Sequence, residues 1–117
     1  MLAFNGRKIY LACGATDMRK AINGLSAIVQ RRLRFDPFEE SLFVFCNRGR
    51  DRMKILESDG DGFWMYVKRL EKGRFQWPQS SSGETISLSE TEFAMLLGNT
   101  KLNRKLLRDE IASCKVC

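Results

Sequence analysis

Residues 41–70, SLFVFCNRGRDRMKILESDGDGFWMYVKRL, decide how this chain folds. SLFVFCN (41–47) is apolar at nearly every position, the pattern of a strand buried on both faces and so central in its sheet. DRMKIL (51–56) and FWMYVKRL (63–70) follow, set apart by the turn-rich stretches NRGRD and SDGDG. Short apolar runs joined by such turns read as a meander of antiparallel strands. Cations stand at every second position of NRGRDRMKI, as Arg48, Arg50, Arg52 and Lys54. Alternate side chains share a strand face, so this spacing suggests a basic stripe. Arg48 and Arg50 fall in the Asn47–Asp51 turn, however, which leaves Arg52 and Lys54 as the strand-borne pair.

The hairpin register follows from the apolar pattern. Pairing Ile55 with Met65 and Met53 with Val67 gathers Met53, Ile55, Phe63, Met65 and Val67 on one face. Arg52, Lys54, Trp64, Tyr66 and Lys68 then share the other. A slip of one residue sets Lys54 beside Val67 and mixes the faces. The odd-numbered loop this register needs is supplied by Asp59-Gly60-Asp61, where glycine is free to take positive φ. Cations for phosphate and π-faces for bases on one surface are the chemistry of nucleic-acid binding. The competing reading leaves Trp64 and Tyr66 half-buried beneath the C-terminal segment.

Outward from this stretch, KIYLAC (8–13) reads as a short buried strand ended by Gly14. Thr16 is placed as a helix N-cap. Met18, Ala21, Ile22, Leu25, Ile28 and Val29 recur at three- and four-residue steps, which predicts a helix over 17–34 ended by the Asp36-Pro37 turn. Gly24 inside it costs roughly 1 kcal/mol against Ala and is expected to mark close packing on the sheet. RFQWP (74–78) supplies a fifth strand, with Phe75 and Trp77 on one face. Ser89 to Glu92 fits a capping box, leading into a short helix with Phe93, Leu96 and Leu97. A last amphipathic segment spans 101–112. The expected fold is α+β, an antiparallel sheet of about five strands with one long helix packed on a face and short C-terminal helices. Residues 1–98 form the domain and 99–117 a basic amphipathic tail.

Composition bounds the function. The chain has 117 residues and a net charge of +6, which favours acidic partners. Residues 1–34 hold seven Lys/Arg against one Asp, whereas 35–78 are balanced at eight against eight. The charge excess therefore lies on the first third, not on the stripe. No apolar run approaches the ~20 residues that span a bilayer. Arg7 and Lys8 interrupt the apolar N-terminus, so it lacks the order of a secretory signal. A cytoplasmic location with no membrane partner is expected. No histidine is present, which removes Ser-His and Cys-His nucleophile chemistry. Cys114-x-x-Cys117 has metal-ligand spacing that Cys13 and Cys46 could complete, but both of these sit in apolar runs as small hydrophobes. No metal or other cofactor is expected.

Other motifs are weighed against plainer readings. Asp59-Gly60-Asp61-Gly62 resembles part of a calcium loop but lacks its distal Glu, since position 70 is Leu, so a hairpin turn accounts for it better. Asp51, Asp59 and Asp61 beside Lys54 sketch a metal-dependent nuclease, a weaker reading because acids in turns usually face solvent. Arg19 and Lys20 in a first helical turn oppose the helix dipole. Either they point into water with Asp17 offsetting them, or they hold a phosphate with the helix N–H groups.

Thr16-Asp-Met-Arg-Lys20 with Gly24-Leu25, then Asp36-Pro-Phe38, Leu42-Phe-Val-Phe45, Asp51-Arg-x-Lys-Ile-Leu56, Asp59-Gly60, Gly62-Phe63, Tyr66-x-Lys-Arg-Leu70, Gly73-Arg-Phe75 and Trp77-Pro78 occur in that order. Over residues 8–97 this succession resembles the TnpB accessory proteins of the IS sixty-six family of bacterial insertion sequences. The chain departs from the family pattern at Cys46-Asn47 and Glu57-Ser58. The resemblance implies a role in transposition, beside a separate transposase that carries the catalytic acids. It supplies no catalytic residues. Matching positions with ready chemistry include Asp17, Arg19, Lys20, Arg48, Asp51, Arg52, Lys54, Lys68, Arg69 and Arg74. The leading expectation is an accessory factor that is not an enzyme and binds DNA at the element ends or assembles the transposition complex, a step in DNA recombination. Arg19 and Lys20 hold phosphate in this reading, and Arg52, Lys54, Trp64, Tyr66 and Lys68 present the open sheet face. The alternative is a protein–protein adaptor for the transposase and other element-encoded proteins, using the same face without touching DNA. A homo-oligomer is compatible with either.

Overall fold

The computed structural model describes residues 6–78 and 85–98. Its elements are β1 (Lys8–Ala12), α1 (Ile22–Arg31), β2 (Ser41–Cys46), β3 (Arg52–Ser58), β4 (Phe63–Arg69), β5 (Thr85–Leu88) and α2 (Glu90–Gly98). The fold is α+β, and the sheet has five strands in the order β4-β3-β2-β1-β5. As the apolar run 41–47 implied, β2 is central and buried along its whole length.

The sheet is mixed, not antiparallel. β1 and β2 run parallel, with Ile9 opposite Leu42 and Leu11 opposite Val44. The cause is connectivity. A helix between two neighbouring strands returns the chain to the starting end of the sheet, so the second strand repeats the first one's direction. The fifth strand is also not RFQWP. β5 pairs antiparallel with β1, Leu88 opposite Ile9 and Ile86 opposite Leu11. Phe75 and Trp77 do point to one side, but they cross the sheet face as an irregular segment. There the Trp77 indole N–H donates to Ala12 O at 3.1 Å.

Both faces of the sheet are covered. On one, Leu25 and Val29 of α1 and Leu33 beyond it are buried against Ala12, Phe43, Phe45 and Leu56. Burying each of these three side chains stabilises the fold by about 2 kcal/mol. Tyr10 and Phe35 stack beside them with ring centroids 4.3 Å apart. On the other face, Phe75, Trp77, Phe93 and Leu96 cover Ile9, Leu11, Leu42, Val44, Met53 and Ile55. Two buried faces explain why β2 alternates nothing: every side chain has an apolar layer to enter.

The helix is shorter than 17–34. Thr16 is not its N-cap; its N–H donates to Cys46 O at 2.8 Å, tying the chain after β1 to the end of β2. Asp17 Oδ1 accepts the Arg19 N–H at 2.9 Å, and Lys20 N–H donates to Asp17 O, so residues 17–20 form a separate turn. Short polar side chains that bond the backbone two residues on compete with helix in this way. The N-cap is Ala21, with no side-chain bond. Gly24 makes room not for the sheet but for its own approach to Lys20, whose Cβ lies 3.0 Å from where a Cβ on residue 24 would stand. At the far end Arg34 adopts φ +65°, and the chain leaves the helix there. The capping box does form on α2: Glu92 N–H donates to Ser89 Oγ at 3.1 Å, and Ser89 N–H to Glu92 Oε1 at 2.8 Å. The segment 101–112, Cys114 and Cys117 lie outside the described residues. Among the described residues no helix is long and apolar enough to cross a membrane.

The β3–β4 register is one residue away from the expected one. Ile55 pairs with Tyr66, Met53 with Lys68 and Lys54 with Val67. The loop is the four residues 59–62, closed by Asp59 N–H donating to Gly62 O at 3.1 Å. Asp59 Oδ1 accepts the N–H groups of Asp61 and Gly62 at 3.0 and 2.8 Å, which fixes the even count. Apolar alternation could not select the register because both faces of this sheet have a core to offer.

Candidate nucleic-acid interface

That register divides the expected aromatic and basic surface in two. Arg52 and Lys54 lie on the α1 side of the sheet with Met65 and Val67, whereas Trp64, Tyr66 and Lys68 lie on the α2 side with Met53 and Ile55. Lys54 reaches back to α1's entry loop, where its ammonium donates to Lys20 O at 2.7 Å. Lys68 donates to Leu97 O near the C-terminal end of α2. Tyr66 is half-buried and donates to Glu57 Oε1 at 2.8 Å. Trp64 is 57% exposed, but its indole N–H donates to Asp59 Oδ2 at 2.9 Å, at the acidic end of the hairpin. No single open face unites these five residues.

The cations instead gather at the opposite end of the sheet, around the β2–β3 turn. Asn47 builds this turn. Its Oδ1 accepts the N–H groups of Asp51 and Arg52, both at 3.1 Å, and its amide donates to Asp51 Oδ1 at 2.7 Å. That side-chain bond holds the Asp51 carboxyl below the usual range. Arg50 closes the turn with φ +60°, its N–H donating to Asn47 O at 3.1 Å. Arg48 and Gly49 form the exposed tip.

An open groove lies on each side of this turn. On the α2 side it runs between Arg48–Arg50 and Arg74–Pro78, held together by the Phe75 N–H donating to Arg50 O at 2.6 Å. On the α1 side it lies between residues 15–19 and the pair Arg48 and Arg52. This second groove sits at the carboxyl ends of the two parallel strands, where α/β units commonly place ligands. Thr16 lines it and is buried with no partner for its hydroxyl among the described residues. Among the described residues, no carboxylate lies within ion-pair distance of Arg48, Arg50, Arg52 or Arg74.

The remaining expected residues fall around this ridge. Arg69 stands opposite Arg52 in the β ladder and pairs with Glu71 at 3.1 Å. Arg19 pairs with Asp17 at 2.7 Å on the rim of the second groove, and its side-chain hydrogen bonds hold the Asp17 carboxyl far below its ordinary value. Lys20 is exposed and immediately precedes the N-cap Ala21, with its side-chain stem lying against Gly24 in the first turn of α1. Arg50 and Thr16 were not singled out from sequence as site residues. Arg50 does carry one sign, its place two residues after the turn's Arg48, where hairpins often need a left-handed residue.

Asp51 and Asp59 flank β3 at opposite ends, so the three acids that sketched a nuclease do not converge. Among the described residues no group of three or more His, Cys, Asp or Glu is placed to hold a metal. Cys46 is buried, and burial pushes its thiol up to about 11.

A family model described as IS66 Orf2 like protein matches residues 7–106. The chain belongs to this family. It is thus an insertion-sequence-associated accessory protein, as the ordered motifs implied. Two relatives from Sinorhizobium fredii (strain NBRC 101917 / NGR234) are similar to it along most of their length. The uncharacterized protein y4hO is 39% identical over 90 residues, 77% of each chain. The uncharacterized protein y4jC is 34% identical over 103 residues, 86% of this chain and 87% of the relative. No solved structure matches the chain.

Proposed function

We propose that this chain is a non-catalytic accessory factor of transposition that grips DNA at the ends of its insertion sequence. The grip is the arginine ridge Arg48, Arg50, Arg52 and Arg74, with Arg19, Lys20 and Arg69 on its flanks. The observation that carries this reading is the contrast between cations. Lys54 and Lys68 are spent on backbone carbonyls and Arg7 on a buried carboxylate, while four guanidinium groups at one end of the sheet form no close ion pair among the described residues, Arg52 and Arg74 sharing only the more distant charge of Asp51. Guanidinium is the side chain best suited to bidentate phosphate contact. Arg48 and Arg50 sit on a turn whose backbone is fixed by Asn47, and Arg52 directly follows it, so little backbone ordering is needed for these three on binding. Residues 1–98 act as the binding domain, the basic tail 99–117 adds charge, and the complex forms in the cytoplasm with the element's transposase.

Anisotropy titrations of element-end duplex DNA at several salt concentrations test this. Four phosphate contacts give a slope of log K against log[salt] of about −3 to −4. Arg48→Ala with Arg52→Ala should lower both affinity and slope. A flat salt dependence, or no loss in the double variant, would sink the DNA-binding reading. A protein-only adaptor is the alternative, favoured by the exposed Phe38 and its contact with Phe63, ring centroids 5.1 Å apart, at the other end of the sheet. Retention of the transposase by this chain in nuclease-treated extract, together with no DNA affinity, selects it.

A further inference from the structure

β4 is an outer strand, and its backbone is half used. Leu70 N–H donates to Asp51 O at 2.8 Å, and Gly62 O accepts from Asp59 N–H at 3.1 Å, at the two ends of the β3–β4 ladder. Between these ends, antiparallel pairing alternates, so Trp64, Tyr66 and Lys68 turn their N–H and C=O groups toward β3. The backbone groups of Phe63, Met65, Val67 and Arg69 therefore point away from the sheet. No strand pairs with that side among the described residues. Natural edges are usually blunted by proline, a bulge or a mid-strand charge. Over Phe63–Arg69 the sequence FWMYVKR has none of these before its last two positions, and it leaves Trp64 and Val67 exposed on opposite faces.

We infer that β4 pairs antiparallel with β4 of a second copy of this chain, about a two-fold axis through Tyr66. The occupant is read from the strand's own symmetry. Tyr66 is the midpoint of Phe63–Arg69, so this register overlaps all seven residues, whereas moving the axis by one residue loses two. With the axis at Tyr66, Trp64 faces Lys68 of the second copy, Phe63 faces Arg69 and Met65 faces Val67. Phe63 and Trp64 each meet a cation, Tyr66 meets its own copy and the apolar pair meets its like, so both halves of every pair lie on one strand. A two-fold axis perpendicular to the sheet continues each face of one copy into the same face of the other, extending both apolar layers across the join. The arginine ridges then lie at opposite ends of one ten-stranded sheet.

Sedimentation of the full chain over a wide concentration range, combined with residue-resolved amide exchange, tests this. The wild type should associate to a dimer. The amides of Phe63, Met65, Val67 and Arg69 should become protected as concentration rises, while those of Tyr66 and Lys68 are protected throughout. Val67→Pro removes an N–H that makes no bond within the chain, so the monomer should fold, and dimerisation should weaken by about tenfold or more. Val67→Thr keeps the outward N–H and should leave the dimer intact. A full chain that stays monomeric overturns the proposal, as does a dimer whose odd-numbered β4 amides exchange freely. Protection of those amides in a monomer would mean that the chain covers its own edge, and it overturns the proposal too.

Discussion

Tyr66 donates its hydroxyl to Glu57 Oε1 at 2.8 Å, and Arg7 closes on the other oxygen of the same carboxylate. The Glu57 side chain is only 8% exposed. A carboxylate taken out of water is tolerated only with such partners. Burial, and then the Glu57 bond, raises the Tyr66 hydroxyl above its ordinary value. Arg7→Met strands a buried charge and should cost about 3 kcal/mol, whereas Tyr66→Phe should cost about 1–2 kcal/mol. Adding Glu57→Leu to Arg7→Met should restore most of the loss, because the charge leaves with its partner. Urea denaturation at neutral pH reads all three. A double variant no better than Arg7→Met alone would show that the pair is not the source of the cost.

Asn47 should couple stability to DNA binding. Its side chain satisfies two backbone N–H groups and positions Asp51, so Asn47→Ala should destabilise by about 2 kcal/mol. It should also weaken DNA binding with Arg48 and Arg52 both present, since the turn that carries them loses its brace. Asn47→Asp keeps the acceptor oxygen but sets one carboxylate against another, and should be destabilised more at neutral pH than near pH 4. Paired melting and anisotropy measurements on the two variants check this.

Arg50 and Arg34 both hold positive φ, which costs a non-glycine residue about 1 kcal/mol. Arg50→Gly and Arg34→Gly should therefore both raise the melting temperature. Only Arg50→Gly should weaken DNA binding, since Arg34 lies at the end of α1, away from both grooves. Equal effects of the two variants on DNA affinity would remove Arg50 from the ridge.

These residues also show what could be read in advance. β2 was legible because six consecutive buried positions leave no other home for an apolar run. The turn at Asn47–Asp51 was legible from its composition. The direction of β1 was written in the strand–helix–strand order around Ile22–Arg31, and only a meander reading of the following strands concealed it. The hairpin register was not legible. Lys54 beside Val67 mixes polarity on its face, but Lys54 finds Lys20 O and Val67 stays at the edge, which no local pattern announces. The site shifted for the same reason. A one-residue slip sent Arg52 and Lys54 to one face and Trp64 and Tyr66 to the other, leaving the turn arginines as a cluster of cations with no close ion pair among the described residues. RFQWP misled because alternation marks an extended segment, whereas a strand also needs a neighbour to pair with.

Acid should loosen the two turns and the loop after β1 together. Asp59 is held below the usual carboxylate range by the N–H groups of Gly62 and Asp61 and by the Trp64 indole. Asp51 is lowered chiefly by Asn47, and Asp17 by Arg19. A carboxylate whose folded value lies below its unfolded value, about 3.9 for Asp, adds stability that is complete above the unfolded value. That stability disappears as pH falls through the folded value. The urea midpoint should hold steady from neutrality to about pH 5 and then decline. Asp59→Asn keeps an oxygen for the two loop N–H groups but cannot titrate. It should start lower at neutral pH, through the lost acceptor for Trp64, and decline less steeply below about pH 4. Parallel curves for the variant and the wild type would show that the Asp59 loop does not contribute to acid sensitivity.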